Sequence, residues 1–167
     1  ECHNLVVENV SGQVLGSLTA VDGDQVGGHV FTVLDDIRFE VVDGKLKLKA
    51  DDFIDFETEQ SIVITIRAVD NAGNTYDEAL TISVRNVNEA PTGLAIDSLF
   101  VAPNSPGGTI GNVTFTDPDQ ADEHVFTIAG DDRFVIVDGV LSLVPGVSLP
   151  ENTNIPITIT VTDKGGL

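Results

Sequence analysis

Short segments in which apolar and polar residues alternate recur along the chain, separated by turn-forming residues. A period of two places every second side chain on the same face of an extended strand, which is typical of half-buried β-strands. In the first half of the chain this pattern predicts strands at residues 14–21, 30–33, 39–42, 45–49, 62–69 and 79–87. No stretch shows the 3.6-residue period of an amphipathic helix over a useful length. The chain is therefore predicted to be all-β.

The clearest local signal is the Asp43-Gly44 pair, which lies between two alternating runs and is typical of a type I′ hairpin. In the second of these runs Leu46 and Leu48 are predicted to face the core, while the lysines face solvent. Segment 62–69 is more apolar on both faces and is predicted to be a central strand. About seven short strands in ~90 residues are typical of a Greek-key β-sandwich.

The chain also contains an internal repeat. Asp22-Gly23-Asp24 recurs 95 residues later as Asp117-Pro118-Asp119. Other motifs return at the same or nearly the same offset: His29–Thr32 as His124–Thr127, Arg38-Phe39 as Arg133-Phe134, Val42–Gly44 as Val137–Gly139, and Ile64–Ile66 with Asp70 as Ile157–Ile159 with Asp163. The repeat predicts two tandem Greek-key β-sandwiches, at residues 1–89 and 90–167.

The second copy is shorter than the first. Leu167 aligns with Asn74, so the counterpart of the strand at 79–87 lies outside this sequence. We therefore expect the second sandwich to lack its last strand in this chain, and the chain to be a fragment of a longer tandem array. A partner chain that donates the strand is the alternative.

Charge and cysteine content exclude several classes of function. The sequence holds 27 acidic and 8 basic residues, for a formal net charge of −19, whereas nucleic-acid binding depends on Lys and Arg. The single cysteine, Cys2, forms no internal disulfide framework and no cysteine-rich zinc site. No apolar run is long enough for a membrane helix. The N-terminus has no signal-peptide pattern, and we expect Glu1 to begin a fragment.

The acidic residues are grouped in turns on both sides of a linker at residues 86–91. Asp55-Phe56-Glu57 places two carboxylates on one side of an extended segment, with the phenylalanine directed to the core. Asp117-Pro118-Asp119 does the same from a turn. Carboxylate, amide and carbonyl oxygens are the ligands that calcium takes, in sets of six to eight. A solvated acidic surface is the alternative for the charge alone.

Both copies resemble cadherin repeats, of the cadherin-like type found in tandem in large bacterial surface proteins. The residues that carry the resemblance in the first copy are Val7-Glu8-Asn9, Asp22-Gly23-Asp24, Asp55-Phe56-Glu57, Ala68-Val69-Asp70-Asn71-Ala72-Gly73 and Asn86-Val87-Asn88-Glu89-Ala90-Pro91. The resemblance implies that the base of one domain, the linker and the top of the next bind calcium together, typically three ions.

Carried over by position, the resemblance implies one complete set of calcium ligands and one incomplete set. The complete set consists of Glu8, Asp55 and Glu57, then Asn86, Asn88 (through its carbonyl) and Glu89, and finally Asp117, Asp119 and Asp163. The incomplete set consists of Asp22, Asp24 and Asp70. The linker departs from the family pattern, with Asn and Glu in place of two aspartates and one residue fewer. Val101-Ala102-Pro103 and Leu149-Pro150-Glu151 replace the acidic motifs at the base of the second copy, which argues against a further calcium joint there.

The expected function is a calcium-dependent extracellular or cell-surface module that stiffens a tandem β-sandwich rod and supports cell adhesion, with homophilic contacts and neighbouring cadherin-like domains as partners. The alternatives are a carbohydrate-binding module of a secreted polysaccharide-degrading protein, with cell-surface polysaccharide as its partner, and a passive spacer. Catalysis is not expected, because the paired acids lie in turns and the chain has one Tyr and no Trp to form a sugar platform. His29 and His124 are interpreted as structural rather than as zinc ligands.

Overall fold

The structure, a computed structural model, describes residues 4–23, 28–120 and 122–167. The chain divides into two compact units, Glu1–Val87 and Asn88–Leu167. The described residues form strands, turns and loops without any helix, and none of them provides a helix that could cross a membrane. Asp24, one of the predicted ligands, lies outside the described residues.

Unit 1 is a sandwich of two sheets. Its strands are β1 (Leu5–Val7), β2 (Val14–Ser17), β3 (Val30–Val33), β4 (Phe39–Val42), β5 (Lys45–Leu48), β6 (Ser61–Val69) and β7 (Thr75–Arg85). One sheet has the order β1-β7-β6-β3 and the other the order β2-β5-β4. All pairs are antiparallel except β1 with β7, which is parallel. The Greek-key sandwich is confirmed.

The core of unit 1 follows the predicted alternation. Leu46 and Leu48 on β5 are both fully buried, as are Ile64 on β6 and Ile82 on β7. Phe56, between the two acids of its motif, packs against the same core. The turn between β4 and β5 has positive φ at Asp43 (50°) and Gly44 (71°), which is the backbone of a type I′ hairpin.

Three strand predictions need correction. The strand predicted at 14–21 ends at Ser17, because its partner β5 begins opposite that residue, at Lys45. The strand predicted at 79–87 begins earlier, at Thr75, since its polar first half extends the ladder with β6 although it buries nothing. The strand predicted at 62–69 is central, but only one of its faces is buried: Val63 is 61% exposed.

Unit 2 has a similar arrangement of two sheets, although its first strand joins the other of the two sheets. Its strands are β8 (Thr92–Ile96), β9 (Thr109–Thr116), β10 (Val125–Ala129), β11 (Phe134–Val137), β12 (Val140–Leu143) and β13 (Thr158–Thr162). One sheet has the order β11-β12-β9-β8 and the other pairs β10 with β13. The described residues of unit 2 contain no counterpart of β7, as expected for a second sandwich without its last strand. The β11–β12 turn reproduces the type I′ hairpin, with positive φ at Asp138 and Gly139.

Candidate metal-binding sites

One end of unit 1 carries four of the predicted ligands, which we call the unit-1 set: Glu8, Asp55, Glu57 and Asn86. They share an end because of strand pairing. Parallel pairing of β1 with β7 brings Val7 opposite Arg85, so the residues that follow each strand emerge together. Antiparallel pairing sets Ser61 of β6 opposite Ser83, which places the loop before β6 at the same end.

Glu8 is the buried member of the unit-1 set. It is 1% exposed, and its carboxylate accepts the backbone N–H of Phe56 on Oε2 at 2.8 Å and that of Val87 on Oε1 at 2.5 Å. A buried carboxylate is costly unless such donors satisfy it. Glu8 therefore fixes the loop that carries Asp55 and Glu57 to the segment that follows β7.

The remaining members of the unit-1 set are exposed. A carboxylate oxygen of Glu57 lies within 4.8 Å of one of Glu8, and Glu57 Oε1 accepts Nδ2–H of Asn86 at 3.2 Å. Asp55 accepts the hydroxyl of Thr58 at 2.8 Å and its N–H at 3.2 Å, and the side-chain hydrogen bond lowers the pKa of Asp55. The close carboxylates of Glu8 and Glu57 repel each other, so a bound cation would stabilise this arrangement.

One end of unit 2 carries the other five predicted ligands, which we call the unit-2 set: Asn88, Glu89, Asp117, Asp119 and Asp163. Asp117 directly follows β9, and Asp163 directly follows β13. Thr92, the first residue of β8, is paired with Thr116 at the end of β9, so the segment that precedes β8 reaches the same end.

Hydrogen bonds within unit 2 connect its set. Asn88 donates Nδ2–H to Oδ2 of Asp163 at 2.8 Å, and the N–H of Glu89 donates to Oδ2 of Asp119, also at 2.8 Å. The N–H of Asp119 donates in turn to Oδ1 of Asp117 at 2.9 Å. Asp163 also accepts the N–H groups of Gly166 and Leu167, and the bond from Leu167 is the largest cause of its lowered pKa. These hydrogen bonds favour the ionised form of Asp163.

The incomplete set in unit 1 is represented in the structure by Asp22 and Asp70. Asp70 follows β6 as Asp163 follows β13, and it accepts the N–H groups of Ala72 and Asn74 and the side-chain amide of Asn74. That side-chain bond is the largest cause of its lowered pKa. Asp22 lies 3.8 Å from His29 Nε2.

His124 was interpreted as structural from the sequence, but it contacts a predicted ligand: its Nε2 lies 2.6 Å from Oδ2 of Asp117. The signal in the sequence was the conserved spacing within the repeat. His124 follows Asp117 by seven positions, as His29 follows Asp22. The sequence predicts Asn88 as a ligand through its carbonyl, and no sequence motif indicates the hydrogen bond that its side chain donates to Asp163.

Comparison with solved structures identifies the fold. No protein-family model matches the sequence. The chain is similar to protocadherin gamma B2 extracellular cadherin domains 3–6 (20% identity, TM-score 0.75, 96% of this chain and 41% of that one). It is also similar to mouse cadherin-23 EC22-24 (22% identity, TM-score 0.71, 97% of this chain and 56% of that one). A third similar structure is human protocadherin-24 EC1-2 (19% identity, TM-score 0.70, 99% of this chain and 85% of that one).

Two tandem Greek-key sandwiches, each with an acid-rich end, define a modular all-β protein. The similarity in structure makes this architecture that of cadherin repeats, and the resemblance inferred from the sequence motifs is confirmed at the level of the fold. The chain spans about two fifths of the gamma B2 fragment and over half of the cadherin-23 fragment.

Proposed function

We propose that this chain is a calcium-binding extracellular module in which the unit-1 set, the unit-2 set and the linker form one joint that calcium stiffens. The observation that carries the proposal is the hydrogen bonding of three consecutive residues. Val87 is bonded to Glu8 of the unit-1 set, and Asn88 and Glu89 are bonded to Asp163 and Asp119 of the unit-2 set.

Chain connectivity supports a shared joint. β7 ends at Arg85 and β8 begins at Thr92, so six residues separate the strands of the two repeats. The repeats proposed from the sequence, 1–89 and 90–167, divide within this segment. The unit-1 set lies at the end of unit 1 where the linker begins, and the unit-2 set lies at the end of unit 2 where the linker ends. A fully extended linker of six residues spans at most about 20 Å.

The donor chemistry fits calcium. The two sets offer seven carboxylates and two amide side chains, whereas His and Cys, which zinc prefers, are absent from the predicted ligands. Glu8, Glu57 and Asp55 would hold the ion from unit 1, and Asp117, Asp119 and Asp163 from unit 2, with Asn86, Asn88 and Glu89 between them. Bound calcium would supply the positive charge that offsets repulsion among these carboxylates.

The chain's own groups determine what happens at the joint. Glu8 and Asp117 are buried and fixed by hydrogen bonds, so they present oxygens without losing much side-chain freedom. Glu57 is exposed and has a carboxylate oxygen within 4.8 Å of one of Glu8, so it would gain most from a cation. Without calcium, repulsion is expected to leave the linker free to bend.

Extracellular placement and adhesion belong to the same proposal. The similar structures are described as extracellular cadherin domains, and a rigid rod of such repeats presents its terminal domains at a distance from a cell surface. Homophilic contacts and neighbouring cadherin-like domains are the partners proposed here. Sedimentation velocity with and without calcium distinguishes adhesion from a spacer role, since only a homophilic module self-associates when calcium is added.

The test of the calcium joint combines calorimetric titration, thermal unfolding and solution scattering. Calcium should bind, raise Tm and narrow the distribution of interdomain distances, while magnesium at equal concentration should do so weakly. Binding to the folded state adds about 2.7 kcal/mol at a hundredfold excess over Kd. Glu57→Gln with Asp119→Asn should abolish these changes. Identical melting and scattering with calcium and with chelator would refute the proposal.

A further inference from the structure

His124 and Asp117 form a buried polar pair at the acidic end of unit 2. Their side chains are 12% and 3% exposed, and Nε2 of the histidine lies 2.6 Å from Oδ2 of the aspartate. An ionised carboxylate only accepts hydrogen bonds, so the imidazole nitrogen that faces it carries the proton. The ring is thereby assigned its Nε2–H form at this contact.

Two aromatic side chains fix the position of the imidazole. The ring of His124 lies against Phe115, with centroids 4.5 Å apart at 55°. Phe115 in turn meets Phe126 edge to face, with centroids 5.7 Å apart at 74°. Phe115 belongs to β9 and Phe126 to β10, so both sheets of the sandwich contribute to holding the ring.

Both oxygens of Asp117 are engaged from within unit 2. Oδ1 accepts the N–H of Asp119 at 2.9 Å, and Oδ2 accepts from His124. Two donors on opposite oxygens prevent rotation of the carboxylate about its Cβ–Cγ bond. Each oxygen has room for a second partner, because a carboxylate offers about four lone-pair positions. Asp117 is thus held in one orientation and still able to bind a cation.

The first repeat shows a looser version of the same pair. His29 and Asp22 have the same spacing, but Nε2 of His29 lies 3.8 Å from Oδ2 of Asp22. The ring centroids of His29 and Phe31 are 6.3 Å apart. The tight pair therefore belongs to the set for which we propose complete calcium coordination, and the loose pair to the incomplete set.

From this geometry we propose that His124 is a positioning residue for calcium, which orients the carboxylate of Asp117 without binding the ion itself. The inference rests on the proposed function. It predicts that the hydrogen-bond donor, rather than the bulk of the ring, supports metal affinity. Partners of this kind typically change metal affinity by roughly 10–100-fold when they are removed.

Three variants of the full chain test the inference by calorimetric calcium titration, with Tm measured in chelator. His124→Leu keeps apolar bulk against Phe115 and removes the donor, so calcium affinity should fall about tenfold. His124→Gln keeps an N–H near the position of Nε2 and should recover most of the affinity. Phe134→Leu, in the same core, should lower Tm in chelator and leave the affinity unchanged.

The outcomes separate this inference from the proposed function. If the wild type binds calcium and His124→Leu binds it with the same affinity, the positioning role is refuted and the proposed function stands. Equal losses of calcium affinity in His124→Leu and His124→Gln also refute the positioning role alone. A wild-type chain that binds no calcium refutes both proposals. If His124→Leu does not fold, nitrogen NMR of the unmodified chain decides: a His124 ring protonated at Nε2 and shifted by calcium supports the role, and an Nδ1–H ring or an unshifted one overturns it.

Discussion

Gly165 lies directly beneath the side chain of Asn88: a Cβ added at Gly165 would be 2.6 Å from the Cγ and Nδ2 atoms of Asn88. The backbone of Gly165 is not in the left-handed region, and the three atoms nearest to the added Cβ all belong to Asn88. The asparagine must rotate away, and its bond to Asp163 is lost with it. Gly165 therefore keeps Asn88 in position.

We expect Gly165→Ala to destabilise unit 2 by about 1 kcal/mol, the usual net contribution of one hydrogen bond. Urea unfolding in chelator measures the change. A double-mutant cycle with Asn88→Ala provides the control, because the two substitutions remove the same interaction and their effects should not add. Full additivity would show that Gly165 acts through another contact.

Substitutions at Glu8 should separate structural and ligand roles within one side chain. Glu8→Ala leaves the part-buried N–H groups of Phe56 and Val87 without their acceptor, at a cost of about 1–3 kcal/mol in unit 1 even in chelator. Glu8→Gln retains one carbonyl oxygen and should lose less stability, yet it removes the charge that calcium needs. Chemical unfolding and calcium titration measure the two effects.

The exposed Glu57 is the matched comparison for Glu8. Glu57→Gln should change the free energy of unfolding in chelator by less than about 0.5 kcal/mol, as surface substitutions usually do, and still weaken calcium binding. If Glu57→Gln and Glu8→Ala destabilise unit 1 equally, the buried carboxylate of Glu8 has no special role in its stability.

The sequence predicted what depends on local pattern. The alternation of apolar and polar residues predicted most strands of unit 1, and Asp43-Gly44 predicted its hairpin. The repeated motifs predicted a second domain of the same fold. Contacts between distant parts of the chain escaped prediction. The polar first half of β7 is a strand only because β6 is beside it, with Thr75 opposite Val69. The parallel pairing of β1 with β7 likewise has no local signature.

The candidate sites show the same division. Motif spacing grouped the acids at the ends of the units, because residues that follow paired strands emerge together. Which atoms satisfy each carboxylate depends on side-chain packing in three dimensions. The contact of His124 with Asp117 depends on the Phe115 ring that holds the imidazole. The repeated spacing of Asp and His indicates that the two residues are related, but it does not determine this geometry.

The hairpin glycines should be required for their backbone conformation alone. Gly44 has φ of 71°, and nothing lies within 4 Å of an added Cβ. Gly44→Ala should therefore cost about 1–2 kcal/mol, the strain of a left-handed residue with a side chain. Gly23→Ala is the control, since it also faces open space but lacks a positive φ, and it should be nearly neutral in urea unfolding. Equal effects would exclude backbone strain as the cause.

Asp131 and Arg133 should make unit 2 sensitive to acid. The guanidinium donates from Nη2 to Oδ2 at 2.6 Å and from Nε to Oδ1 at 2.9 Å, and these side-chain bonds hold the pKa of Asp131 at about 2 instead of 3.8. A lowered folded-state pKa adds stability above the unfolded-state value, and the gain is lost as pH falls through the folded value. Stability from this pair should thus be constant above about pH 5, decrease progressively at lower pH, and be largely lost near pH 2.

The measurement is the urea midpoint of the wild type minus that of Asp131→Asn, in chelator, from pH 6 to pH 2. The difference should stay level down to about pH 5 and then shrink towards zero, because the protonated aspartate no longer attracts Arg133. Asp132→Asn removes the same charge one residue away, where no hydrogen bond to the guanidinium is found among the described residues. The urea midpoint of the wild type minus that of Asp132→Asn should be small from pH 6 to pH 2. A wild-type advantage over Asp131→Asn that persists unchanged at pH 2 would contradict the ion pair as its source.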